Sequence, residues 1–294
     1  MPPRIALATY GLAPELAPDD RLLPPALASL GVSGEPVVWS STAARWAEFD
    51  AVVIRSCWDY HTHIAEFLAW LDRLDAAGIP VWNSPPLVRW NSDKRYLLDL
   101  ARRGVATIPT MIVPRGAGRD VESLAVAEGW ARFVIKPTVS ASGYETHALD
   151  TPLDAAARET IATVTSLGDA LLQPFIEEVP RDGEYSFTFI DGAFSHATIK
   201  RATAGEFRVQ TEHGGSAEPV DAPPSLVAQA SHVVQALPET PLYARVDGIA
   251  RGRAFLLMEL ELIEPNLFLS GVGGAAERLA GAIARRLGQP SVSD

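Results

Sequence analysis

Cysteine is almost absent: Cys57 is the only one in 294 residues. A lone cysteine excludes an intramolecular disulfide and any cysteine-built zinc site. There is no surplus of basic charge either. Acidic and basic residues are interspersed, and the formal charge is −11. No basic face is available to neutralise a nucleic-acid backbone or an anionic membrane, so both are disfavoured as partners. No uncharged apolar run is long enough to span a bilayer. The opening Met1–Ala8 segment has too short an apolar run for a signal peptide, and a cytoplasmic protein is expected. The phosphate-loop pattern Gly-x-x-x-x-Gly-Lys-Ser/Thr is missing, and Gly271-Val272-Gly273-Gly274 lacks the strand that a dinucleotide fingerprint needs before it. His61-Thr62-His63 has metal-like spacing but no companion ligands, which points to a structural role at a helix start.

With 47% apolar and 21% charged residues the composition is that of a globular protein, and the length exceeds a single core. Up to about residue 86, short apolar runs alternate with helical periodicity. Strands are expected at Arg4–Tyr10, Pro36–Ser40, Ala51–Ser56 and Pro80–Asn83, with helices at Asp20–Leu30 and His63–Gly78. The pattern predicts a parallel sheet covered by helices. A second unit, 87–177, places Lys94 on a helix capped by Ser92, with Leu97, Leu98 and Ala101 buried. Strands follow at Thr107–Val113, Arg132–Pro137 and Leu171–Ile176, with helices near Val121–Trp130 and Leu153–Leu167. The third unit, 178–294, reads as long antiparallel strands: Glu184–Ile190, Ser195–Arg201, Glu206–Gln210, Leu242–Ala250 and Ala254–Glu264. Arg251-Gly252-Arg253 is a tight turn between the last two. Gly214–Ser225 reads as a polar connection, and Ala275–Leu287 as a closing helix.

Chemistry concentrates in a few places. Lys136 sits in the apolar strand Phe133-Val134-Ile135 before Pro137, so its buried charge needs an anion. Lys94 taken alone is as well explained by a solvated helix face. Two separated cations can hold a polyphosphate, and the loop Thr138–Tyr144, with Ser140 and Ser142, can present backbone N–H groups to it. Asp247 and Glu259 lie on strands joined by a short turn, and Glu261 shares a face with Glu259. Three crowded carboxylates repel unless a cation neutralises them, and oxygen ligands favour Mg2+ or Mn2+. Glu264 and Asn266 lie just beyond, available as a further ligand or a substrate contact. Lys200, Arg201 and Arg208 could stabilise a transferring phosphoryl group, although surface pairing with Glu206 and Glu212 competes, above all for Arg201. Arg55-Ser56-Cys57-Trp58-Asp59-Tyr60 leaves a buried strand at its carboxyl end, where open parallel sheets bind ligands. Arg55, Ser56, Trp58 and Asp59 suit a small zwitterion. Together these features suggest an enzyme that spends ATP.

This ordered set resembles the ATP-grasp superfamily, in its glutathione synthetase-like branch, over nearly the whole chain. Asn83-Ser84-Pro85, Asp93-Lys94 and Ile135-Lys136-Pro137 look like the two lysine motifs. Gln173, Phe175 and Ile176 are similar to the adenine hinge, and Glu184 falls at the place of the ribose-binding acid. Phe207-Arg208 with Gly214-Gly215 looks like the arginine-bearing strand and glycine pair. Asp247, Glu259 and Glu261 match the metal-ligand pattern, except that Glu261 stands where asparagine is usual. The loop after Lys136 is poorer in glycine than in the family. Arg89–Lys94, Arg55–Tyr60 and Glu259–Pro265 are similar to the group that includes the cyclo-ligase of D-cycloserine biosynthesis, which closes a ring on O-ureido-D-serine.

The resemblance implies an α/β ATP-grasp fold: an N-terminal parallel α/β subdomain, then central and C-terminal ATP-binding subdomains with an antiparallel sheet. It implies ATP and Mg2+ as cofactors and an ADP-forming carboxylate–amine ligase acting through an acyl-phosphate on a small amino-acid-like substrate. Arg208 and Lys200 would stabilise the transferring group. Intermolecular ligation and cyclisation both fit, as do a monomer and a homo-oligomer. A non-catalytic nucleotide-binding protein retaining the fold is the rival class, and both lysines and all three acids argue against it. An oxidoreductase built on the N-terminal sheet lacks its glycine fingerprint.

Overall fold

The computed structural model describes residues 2–203, 206, 208–209 and 214–288. Its first sheet is built from β1 (Arg4–Thr9), α1 (Leu23–Ser29), β2 (Ser33–Val38), β3 (Ala51–Ser56), α2 (Ile64–Ala76) and β4 (Val81–Trp82). The strands are all parallel, in the order β2-β1-β3-β4. β1 and β3 are buried almost throughout, as expected where helices cover both faces. α2 turns Phe67, Trp70, Leu71 and Leu74 onto that sheet. The second strand begins three residues before its expected start. Pro36 lies within it, tolerated because β2 is an edge strand and its missing N–H interrupts no ladder there.

The connection to the second sheet corrects the expected position of Lys94. Ser84 caps a helix, α3 (Pro85–Asn91), its hydroxyl accepting from Leu87 N–H, with prolines in the first turn. The next helix, α4 (Tyr96–Arg102), starts only after Lys94. Ser92 is therefore a C-terminal residue of α3, and Lys94 sits in the bend between the two helices. Tyr96, Leu97 and Leu100 form the buried face of α4, whereas Ala101 is exposed and Leu98 only half-buried.

β5 (Met111–Val113), α5 (Val121–Ala127), β6 (Arg132–Pro137), β7 (His147–Asp150), α6 (Ala155–Leu167) and β8 (Ala170–Pro174) make the second sheet, antiparallel in the order β5-β8-β6-β7. The long strand expected from Thr107 is cut short, because Pro109 cannot donate to a ladder.

After α7 (Glu178–Asp182) comes the third sheet: β9 (Glu184–Ile190), β10 (Ala193–Arg201), β11 (Ser216–Val220), β12 (Tyr243–Arg251) and β13 (Ala254–Glu261). Its order is β11-β10-β9-β12-β13, antiparallel throughout. The polar stretch from Gly214 thus contains an edge strand, and α8 (Pro224–Gln235) follows it. The described residues of the expected Glu206–Gln210 strand are not in a ladder, and Phe207, Gln210 and Glu212 lie outside the described residues. Period-two alternation gives this sheet two unlike faces. Phe187, Phe189, Ala244, Val246 and Leu260 pack beneath α8. Glu184, Ser186, Lys200, Arg245, Asp247, Glu259 and Glu261 alternate with them. At Gly248 the register shifts, and an added Cβ would meet Leu256 O at 2.3 Å, so this bulge requires glycine.

β13 is an edge strand with its backbone groups satisfied from outside the sheet. Asn91 donates to Leu260 O and accepts from Leu262 N–H, and Tyr96 Oη accepts from Leu260 N–H. Further along, Ala106 O accepts from Leu257 N–H, and Ile108 N–H donates to Leu257 O. The closing helix α9 (Ala275–Arg286) returns to the first sheet, packing Leu279 and Ile283 in one core with Leu7 and Leu27.

Candidate active site

The three sheets leave a cleft between β6 and β8 on one side and the polar face of the third sheet on the other. Its two ends differ. Ile108, Val134, Ile176, Val179 and Met258 line an apolar end beside Gln173 and Phe175. Gln173 is buried and donates to Thr110 Oγ1 at 2.9 Å. Arg132 lies 3.9 Å over the Phe175 ring.

Lys94 and Lys136 line the other end, and both reach one carboxylate. Lys94 Nζ is 2.9 Å from Glu259 Oε1, and Lys136 Nζ is 3.8 Å from Glu259 Oε2. Lys94 also donates to Ser140 O, which ties the bend before α4 to the loop after β6. Burial pushes Lys136 down from its ordinary value, with Glu259 opposing. Burial likewise works against Glu259, yet the two lysines hold it down at about 2. Ser140 is buried, its hydroxyl donating to Pro137 O, while Ser142 is exposed. Ser142 and Gly143 both take positive φ, a left-handed turn, and Tyr144 packs on the His61 ring. The His61-Thr62-His63 segment itself forms a 3-10 turn leading into α2.

Cross-strand register assembles the rest. Lys200 faces Glu184, Arg245 faces Glu261, and Asp247 faces both Glu259 and Ser186. Lys200 Nζ is 2.7 Å from Glu184 and 2.8 Å from Asp247, and Ser186 Oγ donates to Asp247 at 2.7 Å. Arg245 bridges Asp247, at 2.9 Å, and Glu261. Against the cost of burial, Arg245 and Lys200 hold Asp247 well below the usual carboxylate range. Burial pushes Glu261 up to about 7; Arg245 opposes it only in part, and the charges of Asp247 and Glu259 add to the rise. Sequence reasoning passed over Arg245. Its signal was available: two residues before Asp247 on a strand, it had to share that face.

The remaining expected residues separate into two groups. Arg208 lines the cleft and pairs with Glu206 at 2.8 Å. Trp58 and Asn266 also line it. Arg55, Ser56 and Asp59 do not. Arg55 is fully buried, donating to Asp20 at 2.9–3.0 Å and to Pro265 O at 2.7 Å, with its guanidinium over the Tyr243 ring. Ser56 donates to the second Asp20 oxygen, and Asp59 accepts from Trp39 Nε1. A charge of this kind, already neutralised inside the protein, has nothing left to offer a zwitterion.

Asp247, Glu259 and Glu261 form an oxygen donor set suited in kind to a hard divalent cation. Each is now neutralised by a lysine or arginine. Among the described residues no three acidic, histidine or cysteine side chains converge as a ligand group. In kind, though not in their present pairing with lysine and arginine, these oxygen donors match a hard divalent cation.

A helix-backed parallel sheet joined to two antiparallel sheets that clasp a cleft, apolar at one end and cationic at the other, defines an ATP-grasp ligase. The N-terminal domain family of D-cycloserine synthetase DcsG matches residues 5–83. The cycloserine biosynthesis protein DcsG of Streptomyces lavendulae is 35% identical over 288 residues, covering 92% of this chain and 95% of that protein. A crystal structure of D-cycloserine synthetase DcsG superposes with a TM-score of 0.88 at 32% identity, covering 97% of this chain and 99% of that one. D-alanine–D-alanine ligase from Bacillus anthracis, solved with ATP, shares the fold at a TM-score of 0.69 and 15% identity, with 96% of each chain covered. The chain belongs to the DcsG family of ATP-grasp enzymes.

Proposed function

We propose that this chain is an ADP-forming ligase that activates the carboxylate of a small amino-acid-like substrate and closes a ring upon it. The adenine would lie at the apolar end, against Gln173, Phe175 and Ile176, with Glu184 on the ribose hydroxyls. Lys94 and Lys136 would exchange Glu259 for the phosphates. Asp247, Glu259 and Glu261 would then be the residues to hold Mg2+, which would supply charge neutralisation for the phosphates. The substrate carboxylate oxygen attacks the γ-phosphorus, the bond to the bridging oxygen breaks, and ADP leaves. A nitrogen of the same substrate then attacks the acyl carbon, loses its proton and expels inorganic phosphate. Arg245, Lys200 and Arg208 line the path of that charge, and catalysis comes from positioning and electrostatics. The name of the DcsG relatives favours ring closure, to D-cycloserine, over ligation of two molecules.

The observation that carries this reading is the shared hold of Lys94 and Lys136 on Glu259. A buried Lys94 and a half-buried Lys136 that share one carboxylate facing Asp247 support a phosphate site at this end of the cleft. ADP release from amino-acid substrates, with and without Mg2+, tests it. Glu259→Ala is expected to retain its circular dichroism and to lose metal-dependent turnover by about a hundredfold or more. Normal turnover of that variant with Mg2+ would reject the assignment.

A further inference from the structure

Five carboxylates line the cleft: Glu184, Asp247, Glu259, Glu261 and Glu264. Lys200 holds the first two, Lys94 and Lys136 hold Glu259, and Arg245 holds Glu261. Glu264 stands apart. Only 9% exposed, it has no lysine or arginine partner among the described residues, and its carboxylate accepts from its own backbone N–H. A buried carboxylate without a counter-ion is costly. The cost appears in its titration, which burial, with Glu261 adding, moves up to about 8.

The chain around Glu264 is fixed from outside. Three successive carbonyls each accept a hydrogen bond from a different aromatic or basic side chain. Tyr243 Oη donates to Ile263 O at 2.8 Å, Trp58 Nε1 to Glu264 O at 3.1 Å, and Arg55 Nη2 to Pro265 O at 2.7 Å. Tyr243 has a single proton to give and shares it with Ile54 O, 2.5 Å away, while Arg55 is locked on Asp20. Arg55 of β3, Trp58 just after it and Tyr243 from the start of β12 thus grip residues 263–265, with Glu264 in the cleft wall beside Trp58 and Asn266. Such support spends structure on placing a carboxyl that has no counter-ion, which makes sense where a cation arrives as ligand and draws it into its ionised form.

We propose that Glu264 is the anchor for the ammonium group of the substrate, with Trp58, Tyr243 and Arg55 as positioning residues. This assignment rests on the reading of the cleft as the site of an amino-acid ligase. Of the charges that oppose burial at Glu264, Lys94 weighs most. An α-amino acid bound by its ammonium at Glu264 would therefore direct its carboxylate towards the phosphate end. The amine is untouched by ring closure, so a ring product reports the same contact.

The test compares D-cycloserine with isoxazolidin-3-one, the same ring without the amine, titrated calorimetrically into the Mg-ADP complex. Glu264→Gln keeps the side-chain volume and removes the charge. It is expected to weaken D-cycloserine roughly tenfold or more while leaving the amine-free ring unchanged. Trp58→Phe, which releases one of the three carbonyls, is expected to lower the D-cycloserine preference in the same direction. Equal losses for both rings would mean a general structural role, and unchanged D-cycloserine binding by Glu264→Gln would overturn the anchor outright. A raised Mg2+ requirement for ADP binding in that variant would make Glu264 a metal ligand instead. If the wild type binds ADP but neither ring, the substrate reading itself fails and takes the anchor with it.

Discussion

At the scale of the residue, the cleft is governed by which carboxylates have cations and which do not. Glu259 and Glu264 are five positions apart, yet burial acts on both with opposite outcomes. The lysines keep the first ionised, and the second is left to protonate. Glu264 therefore ties stability to pH. Its folded value is raised from 4.5 to about 8, so between those values unfolding releases a proton. The native state binds more protons than the unfolded state there, and stability falls as pH rises through the window. Glu261, Lys94 and Arg245 bear on this carboxyl, and Cys57, Tyr60 and Tyr243 are pushed up in part by its charge. Glu264→Gln removes the titrating group. Its melting temperature should gain on the wild type as pH is raised from about 5 to about 8, with no further gain beyond. Parallel melting profiles across that range would refute the assignment of a buried, unpaired acid.

At the scale of the element, the position of the acids depends on an edge strand completed by side chains. Asn91 is buried and makes two hydrogen bonds to the β13 backbone, at 2.8 and 2.9 Å. Asn91→Ala leaves both backbone groups unsatisfied, and each such group costs about 1–3 kcal/mol. Urea titration should show a loss of about 2–4 kcal/mol, and a loss below about 0.5 kcal/mol would mean that water replaces the amide. The same elements show what sequence could carry. β3 and β6 were legible residue for residue as short apolar runs, and β9 as a polar–apolar alternation rich in aromatics. Lys136 was legible because it interrupts such a run. Lys94 lines the cleft, but not from the helix expected for it, since Ser84-Pro85-Pro86 starts a separate helix that ends before it. β11 escaped because an exposed edge strand with few apolar residues has no periodicity to detect. Arg55 was misjudged for a different reason: its partners, Asp20 and Pro265, lie 35 and 210 positions away, and no local pattern announces them.

At the scale of the whole molecule, the cleft is a joint. Its walls come from the second and third sheets, and the first sheet closes one end through Trp58 and the residues it grips. A nucleotide lodged there would touch elements from both antiparallel sheets at once, so its binding should stabilise their association as well as the site. Ligand at a hundred times its dissociation constant adds about 2.7 kcal/mol to the folded state. For a chain of this length that is a rise of about 4 °C. The expected pattern is a full rise with Mg-ATP, a smaller one with ATP and chelator, and none with NAD(P)H. The metal dependence follows from charge: without Mg2+ the phosphates meet Asp247, Glu259 and Glu261 as well as the lysines, and repulsion offsets part of the attraction. Equal rises with and without chelator would remove the metal from the acids while leaving the lysines as the nucleotide site. A rise with NAD(P)H alone would move the chemistry away from phosphoryl transfer altogether.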